Sequence, residues 1–296
     1  MKTQPPLLYG TVAVKGLSLD FYSRALLCNF YLLCGPGIMF DCGDGAAPML
    51  EQRIFKVKHL FLSHHHVDHA GGLPGMLYAR NTLPGDKEKP LHIYYPGGNG
   101  FLAEQVAFFA NTGPELGFPV YYHPLQPGQK VAVDARYQVQ AYAVEHEDIC
   151  LAYLLYEQRR QWPTAYAALS AEQIKRHKTN SGSAYQDVDV PIVFYSGDMA
   201  VPCDGLPQPV VTVLVDSTFL SARDRMFTSH LAVEEFLNWA GATRFQDVLY
   251  VHLSRRYTPD EAIAFIAGHG QNRIPGSQRL LWANRCIPIP QTGKGA

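Results

Sequence analysis

Ser63-His64-His65-His66-Val67-Asp68-His69 places four histidines and one aspartate within the six residues 64–69. The stretch follows the apolar run Val57-Lys58-His59-Leu60-Phe61-Leu62, whose composition predicts a strand ending in a loop. Side chains clustered at a strand end can converge on one point. With His65 and Val67 set aside, the pattern is His-x-His-x-Asp-His, and its fixed members are His64, His66, Asp68 and His69. Imidazole nitrogens and a carboxylate oxygen suit zinc or a similar divalent ion. An engineered tag would be a terminal homopolymer, whereas this run is internal and continues into Ala70-Gly71-Gly72-Leu73. A polar loop with accidental histidines is the other bland reading, and the strand before it speaks against that.

The rest of the chain sets bounds. Its 296 residues contain no low-complexity linker, so one domain over 1–296 is expected, with an inserted basic segment near 157–180. That segment carries five positive charges (Arg159, Arg160, Lys175, Arg176, Lys178) against Glu157 and Glu172. It reads either as a solvated basic helix or as an arm that meets a substrate. Hydrophobic residues at 47% and charged residues at 17% describe a globular protein. No run of eighteen apolar residues occurs, and no apolar signal core follows Met1-Lys2-Thr3-Gln4-Pro5-Pro6, so a cytoplasmic protein without a membrane partner is expected. The six cysteines include no Cys-x-x-Cys pair and read as buried thiols. A net charge of −1 does not by itself favour a long nucleic acid, which draws its affinity from basic residues on phosphates.

Elsewhere the same arrangement recurs, an apolar strand with chemistry at its end. The strand 37–41 runs into Asp41-Cys42-Gly43-Asp44-Gly45, where both acids are candidates to support ligands and not to be ligands. The strand 137–144 leads to His146, and 191–198 ends in Ser196-Gly197-Asp198, whose carboxylate can bridge two cations. The strand 210–215 leads to Asp216-Ser217-Thr218-Phe219, and Ser229-His230 precedes a predicted helix over 231–240. The strand 247–251 ends at His252-Leu253-Ser254-Arg255-Arg256-Tyr257. Thr258-Pro259-Asp260-Glu261 then has the composition of a helix start.

These blocks resemble the metallo-β-lactamase fold and, within it, the ribonuclease Z (tRNA 3′-processing endonuclease) branch. Ser63 to Leu73 resembles the fold's signature, and Asp41 to Gly45 is similar to the family's Asp-Cys-Gly-Glu-Gly. Ser196 to Met199 is similar to Ser-Gly-Asp-Thr, Val215 to Phe219 to His-Glu-Ala-Thr-Phe, and His252 to Tyr257 to His-Phe-Ser-x-Arg-Tyr. The resemblance runs as separate blocks over residues 8 to 260. It implies an α/β fold, the four-layer αββα sandwich, which gathers these strand ends at one edge. It further implies two divalent ions, zinc first and manganese or iron as alternatives. His64, His66 and His146 would hold one ion, Asp68, His69 and His252 the other, and Asp198 would lie between them. It implies catalytic roles for Asp68, for His230 as general acid and for Asp216 as the acid that supports it, and it implies a homodimer. The family's Pro-x-Lys-x-Arg-Asn loop has no counterpart in Lys15 to Arg24, and its arm's Gly-Pro pair has none in 157–180.

Seven candidate ligands are more than one four-coordinate ion can use. Two ions roughly 3.5–4 Å apart can hold a hydroxide and stabilise the entering and leaving oxygens of a displacement. The expected function is therefore a ribonuclease Z-like phosphodiesterase, with RNA or a smaller phosphodiester as substrate. Two alternatives stay open from the residues alone. One is a metal-dependent hydrolase of a small ester, lactone or thioester, and the other is a metal-stabilised binding protein without turnover.

Overall fold

Strands β3 (Cys28–Leu33) and β4 (Ile38–Phe40) are buried at every position, so odd and even side chains must both find apolar partners. They do so on opposite faces of one sheet. The computed structural model describes residues 8–111, 115–162, 169–170, 172–174, 176, 185–226, 228–241, 245–270 and 273–291. The first sheet adds β1 (Gly10–Val14), β2 (Leu17–Arg24), β5 (His59–Phe61), β6 (Leu91–Pro96) and β7 (Val120–Leu125), and its spatial order follows the chain. The second sheet holds β8 (Lys130–Ala132), β9 (Tyr137–Val144), β10 (Cys150–Gln161), β11 (Gln186–Tyr195), β12 (Val210–Asp216), β13 (Phe245–Val251), β14 (Gln278–Trp282) and β15 (Arg285–Pro288), also in chain order.

The two sheets repeat one topology. Strands β1 to β4 pair antiparallel and β4 to β7 parallel; β8 to β11 pair antiparallel and β11 to β14 parallel. Parallel neighbours need crossovers, and these supply the helices. In the first half they are α1 (Ala46–Leu50), α2 (Val67–Ala70), α3 (Leu73–Thr82) and α4 (Gly100–Asn111); in the second, α5 (Val233–Ala240) and α6 (Pro259–His269). Thr258 caps α6 through Glu261 N, with Pro259 at its first position, as the sequence predicts.

Three apolar layers separate these elements. Phe30, Leu32 and Leu60 pack outward against Leu73, Met76 and Leu77 of α3. Leu154, Val213 and Val248 pack outward against Phe236 and Leu237 of α5 and Ile266 of α6. Between the sheets, Tyr31, Phe40 and Phe61 meet Tyr153, Leu155 and Tyr195, with the rings of Phe40 and Tyr195 stacked at 5.3 Å. This is the expected αββα sandwich. Among the described residues, no helix is long and apolar enough to cross a membrane.

Two local differences from the sequence reading have physical causes. Leu17 to Arg24 forms β2, although buried Asp20 interrupts its apolar pattern. That carboxylate accepts from Thr11 Oγ1 at 2.8 Å and Arg53 Nη1 at 2.6 Å, which makes its burial tolerable. The segment near 157–180 begins as a ribbon in which Glu157 to Gln161 pair with Val190 to Gln186. Arg159 there is tied to Glu157, and Arg176 to Glu172 at 3.0 Å, so part of the expected positive charge is neutralised. Lys175 and Lys178 lie outside the described residues.

Register in the parallel half of the first sheet sets His59 beside His92 and Tyr94 beside His123, with the rings stacked at 5.0 and 4.7 Å. Burial, helped by the neighbouring His92, pushes the His59 imidazole down to about 4. An unfolded chain takes up that proton near pH 6.5, so between about pH 6.5 and 4 the unfolded state binds more protons and stability falls as pH falls. His59→Phe is expected to shrink the drop in melting temperature between pH 7 and pH 5. Thermal melts of both proteins at the two pH values measure this, and an undiminished drop would rule out His59 as its source.

Candidate metal centre

Six strand ends meet at one edge of the sandwich. The chain leaves β4 at Asp41, β5 at Ser63-His64, β9 at His146, β11 at Ser196-Gly197-Asp198, β12 at Asp216 and β13 at His252. After β5, His69 N and Ala70 N both bond His66 O, and the resulting turn of α2 turns buried Asp68 and His69 inward. Close packing beneath this turn explains the glycine of the Asp-Cys-Gly block. A Cβ on Gly43 would lie 2.2 Å from Asp68 O, so only glycine lets the two loops touch.

The donors fall into two sets. Atoms of His64, His66, His146 and Asp198 lie within 4.8 Å of one another, and so do atoms of Asp68, His69 and His252. Asp198 Oδ2 stands between the sets, 3.7 Å from His64 Nε2, 3.3 Å from His69 Nε2 and 3.6 Å from His252 Nε2. His65 turns away toward Asn99 and Asp148, and Val67 faces solvent. Asp41 lies beneath the cluster, but Asp44 is exposed and, among the described residues, bonds through its backbone to Val67 O, so its expected supporting role is corrected.

Hydrogen bonds behind the imidazoles fix their tautomers. Ser63 Oγ has one proton, which goes to Asp41 Oδ2 at 2.8 Å, so it must accept from His64 Nδ1–H at 2.9 Å. Thr218 Oγ1 likewise donates to Asp216 Oδ1 at 2.6 Å and accepts from His252 Nδ1–H at 2.7 Å. His69 Nδ1 donates to Asp41 Oδ2 at 2.6 Å, and His146 Nδ1 to Ser229 O at 2.9 Å. In all four the Nε2 edge faces the centre, where His252 Nε2 lies 3.0 Å from Asp68 Oδ2 and His146 Nε2 3.4 Å from His66 Nδ1, and backing of this kind orients metal-ligating histidines.

A cation fits this donor set. His64 Nε2, His69 Nε2 and Asp198 Oδ1 are buried without a hydrogen-bond partner. Asp41, Asp68, Asp198 and Asp216 are buried carboxylates, and among the described residues none of them pairs with a lysine or arginine. These carboxylates favour the charged forms of the imidazoles that face them instead. Burial opposes the charged form of His252, yet Asp198, Asp216 and Asp68 raise it to about 10. His69 is raised the same way, and burial with four neighbouring imidazoles pushes His64 down. Divalent ions would replace those protons as the positive charge.

Beside the centre, His230 Nδ1 donates to Asp216 Oδ2 at 2.8 Å and lies 3.8 Å from Asp198 Oδ2. Asp198, Asp216, His230 and His252 also converge as a set. Asp216, however, accepts from Thr218 N, Thr218 Oγ1, His230 Nδ1 and Met199 N, so it acts as an organiser of its neighbours. Burial opposes a charge on His230, but Asp216 and Asp198 raise it above the usual histidine range. Sequence reasoning missed the supporting residues. Ser63 and Thr218 stand next to recognised positions and could have been found. Asn29, which donates to Asp68 Oδ2 at 3.2 Å, and Tyr195, which donates to Asp41, come from distant strands without a local signal.

Residues 34–253 match the Beta-lactamase superfamily domain. Ribonuclease Z of Natronomonas pharaonis is 27% identical over 254 residues, covering 76% of this chain and 80% of the relative. Ribonuclease Z of Thermococcus gammatolerans is 28% identical over 258 residues, covering 78% and 79%. Among solved structures, the metallo-beta-lactamase fold protein YhfI from Bacillus subtilis aligns with a TM-score of 0.63 at 15% identity, covering 90% of this chain and 96% of that one. Human tRNase Z, short form, aligns at 0.56 and 17% identity, covering 80% and 93%. At these identities the structural likeness speaks for the fold.

Thr218→Val removes the group behind His252 without touching a metal-facing atom. It is expected to weaken the ion held by His252 about 10–100-fold, whereas Asp198→Ala should lower metal content itself. Chelator competition and elemental analysis check both, and unchanged zinc affinity in Thr218→Val would remove Thr218 from the centre.

Proposed function

This chain belongs to the Beta-lactamase superfamily, and we propose that it works as a two-metal phosphodiesterase of the ribonuclease Z kind, cleaving RNA or a smaller phosphodiester. The observation that carries the reading is the His230–Asp216 pair, bonded at 2.8 Å and set beside Asp198, the carboxylate that stands between the two donor sets. The curated relatives named Ribonuclease Z support it. His64, His66 and His146 would hold one ion and Asp68, His69 and His252 the other, with Asp198 between. Zinc suits these nitrogen and oxygen donors. When bound, two such ions would supply the charge and the acidified water that attack on phosphorus needs.

The chain's own residues do the rest. Asp41, Ser63, Thr218 and the Ser229 carbonyl aim the imidazoles, and Leu26 N and Asn29 Nδ2 hold Asp68 in place. Asp216 fixes one proton of His230 at Nδ1, so the proton that the imidazolium can give to a leaving oxygen is the one at Nε2. An alkoxide leaving from a ribose needs that proton, and an imidazole supplies it near neutral pH. A thioester hydrolase, whose thiolate leaves unprotonated, has less need of such a pair. The 1–296 chain acting as one domain, its assembly as a homodimer, a cytoplasmic location and RNA contact by the 157–180 segment belong to the same proposal.

Zinc-loaded protein should hydrolyse bis(p-nitrophenyl) phosphate, and turnover confined to a lactone or a thioester would overturn the reading. His230→Ala should keep its metals and lose roughly 10²–10⁴ in kcat on an alkoxide-leaving diester. Its loss should be far smaller with p-nitrophenolate, which departs unprotonated. Equal losses on both leaving groups would count against the general-acid role.

A further inference from the structure

Leu26, in the turn between β2 and β3, stands in the left-handed backbone region at φ 63 and leaves 79% of its surface in water. Non-glycine residues are uncommon in that region, and glycine or asparagine there would relieve both the strain and the exposure. What holds Leu26 is its N–H, which donates to Asp68 Oδ2 at 2.8 Å. Leu27 beside it is 43% exposed, and Val67, the chain neighbour of Asp68, is 67% exposed. Single exposed apolar residues need no explanation. A strained one bonded to a candidate ligand, with two more beside it and beside that ligand, points to function.

The charges around this rim narrow what it can meet. Arg24, the last residue of β2, holds its guanidinium over the Trp282 ring, 4.4 Å from the centroid. On the His65 and His66 side the rim carries carboxylates, with Asp148 3.5 Å from His65 Nδ1 and Glu147 3.7 Å from His66 Nε2. A further phosphate at Leu26 would find apolar surface, and one near Glu147 would find like charge.

We propose that Leu26, Leu27 and Val67 form an apolar shoulder that seats a flat, uncharged substituent on the non-leaving side of the diester. The shoulder selects substrates by that substituent and disfavours a chain whose next phosphate falls there. An aryl group and a nucleobase share the required chemistry. The inference rests on the phosphodiesterase reading, and the test separates the two.

Three substrates with one leaving group decide it: bis(p-nitrophenyl) phosphate, thymidine 5′-(p-nitrophenyl phosphate) and methyl p-nitrophenyl phosphate. Zinc-loaded wild type should prefer one or both of the first two over the methyl ester by about tenfold or more in kcat/KM, after each value is divided by that ester's rate of hydrolysis by hydroxide, the scale of a partly buried apolar group. Preference for the bis ester alone assigns the shoulder to an aryl group, and preference shared by the thymidine ester assigns it to a nucleobase. Leu26→Gly/Leu27→Ser/Val67→Ser should bring that ratio toward one with metal content unchanged. Leu26→Gly alone suits the left-handed turn and keeps the N–H to Asp68, so it should lower the ratio part of the way in a folded protein. A wild type without the preference, or variants that retain it, overturns the shoulder. Failure to cleave any of the three would overturn the phosphodiesterase reading instead.

Discussion

Four carboxylates buried at one edge of a sandwich, with no lysine or arginine paired to them among the described residues, set the terms for the rest of this structure. An isolated charge in a low-dielectric interior is unfavourable by several kcal/mol even after relaxation. The fold answers with imidazoles, which can be neutral ligands to a cation or protonated partners to an acid. Asp41, Asp68 and Asp216 are also hydrogen-bonded. Asp41 alone accepts from Ser63 N, Ser63 Oγ, His69 Nδ1 and Tyr195 OH. Such a cluster is stable only when complete, because removing one partner leaves a buried group unpaired. Metal binding and local stability are therefore expected to rise and fall together.

Completeness requires residues far apart in sequence to arrive with sub-ångström precision, and the repeated topology delivers them. Each half runs four antiparallel strands and then parallel ones. Parallel strands end at the same edge, so the loops after β5, β11, β12 and β13 open on one side. Two of the turns involved are strained. Asp41 has φ 56 and His252 has φ 60, a region that non-glycine residues seldom occupy. Both are pinned: Asp41 by its four donors, and His252 by Ser23 Oγ on its N–H at 2.9 Å and Thr218 on Nδ1. The strain keeps each side chain pointed inward where a relaxed turn would release it.

Much of this could be read from the chain because the chemistry is local where it matters most. His64, His66, Asp68 and His69 lie in one turn, so spacing alone announces a cluster. His146, Asp198 and His252 each follow an apolar strand, and the resemblance supplied their grouping. The supporting layer was less legible for a geometric reason. Tyr195 reaches Asp41 across 154 positions, and Asn29 reaches Asp68 across 39, through pairings that no local pattern encodes. Asp44 misled in the opposite direction. It sits in the right block, but the turn that brings Asp41 inward faces Asp44 to solvent. Strand β2 escaped notice because Asp20, buried and paired with the part-exposed Arg53, breaks the alternation that marks a strand.

Asp216 joins the two halves of the chemistry. Its Oδ2 bonds His230, on the side where a leaving group would need a proton, and its Oδ1 bonds Thr218, which in turn orients His252. A single carboxylate thus sets the direction of a proton donor and of a candidate metal ligand. The two oxygens are held in one plane at a fixed separation, so rotating the group to improve one bond worsens the other. Thr218 N, donating to Oδ1 at 2.9 Å, blocks that rotation. The effects of changing Asp216, Thr218 and His230 should therefore not add, since each removal also loosens the bond that the others share.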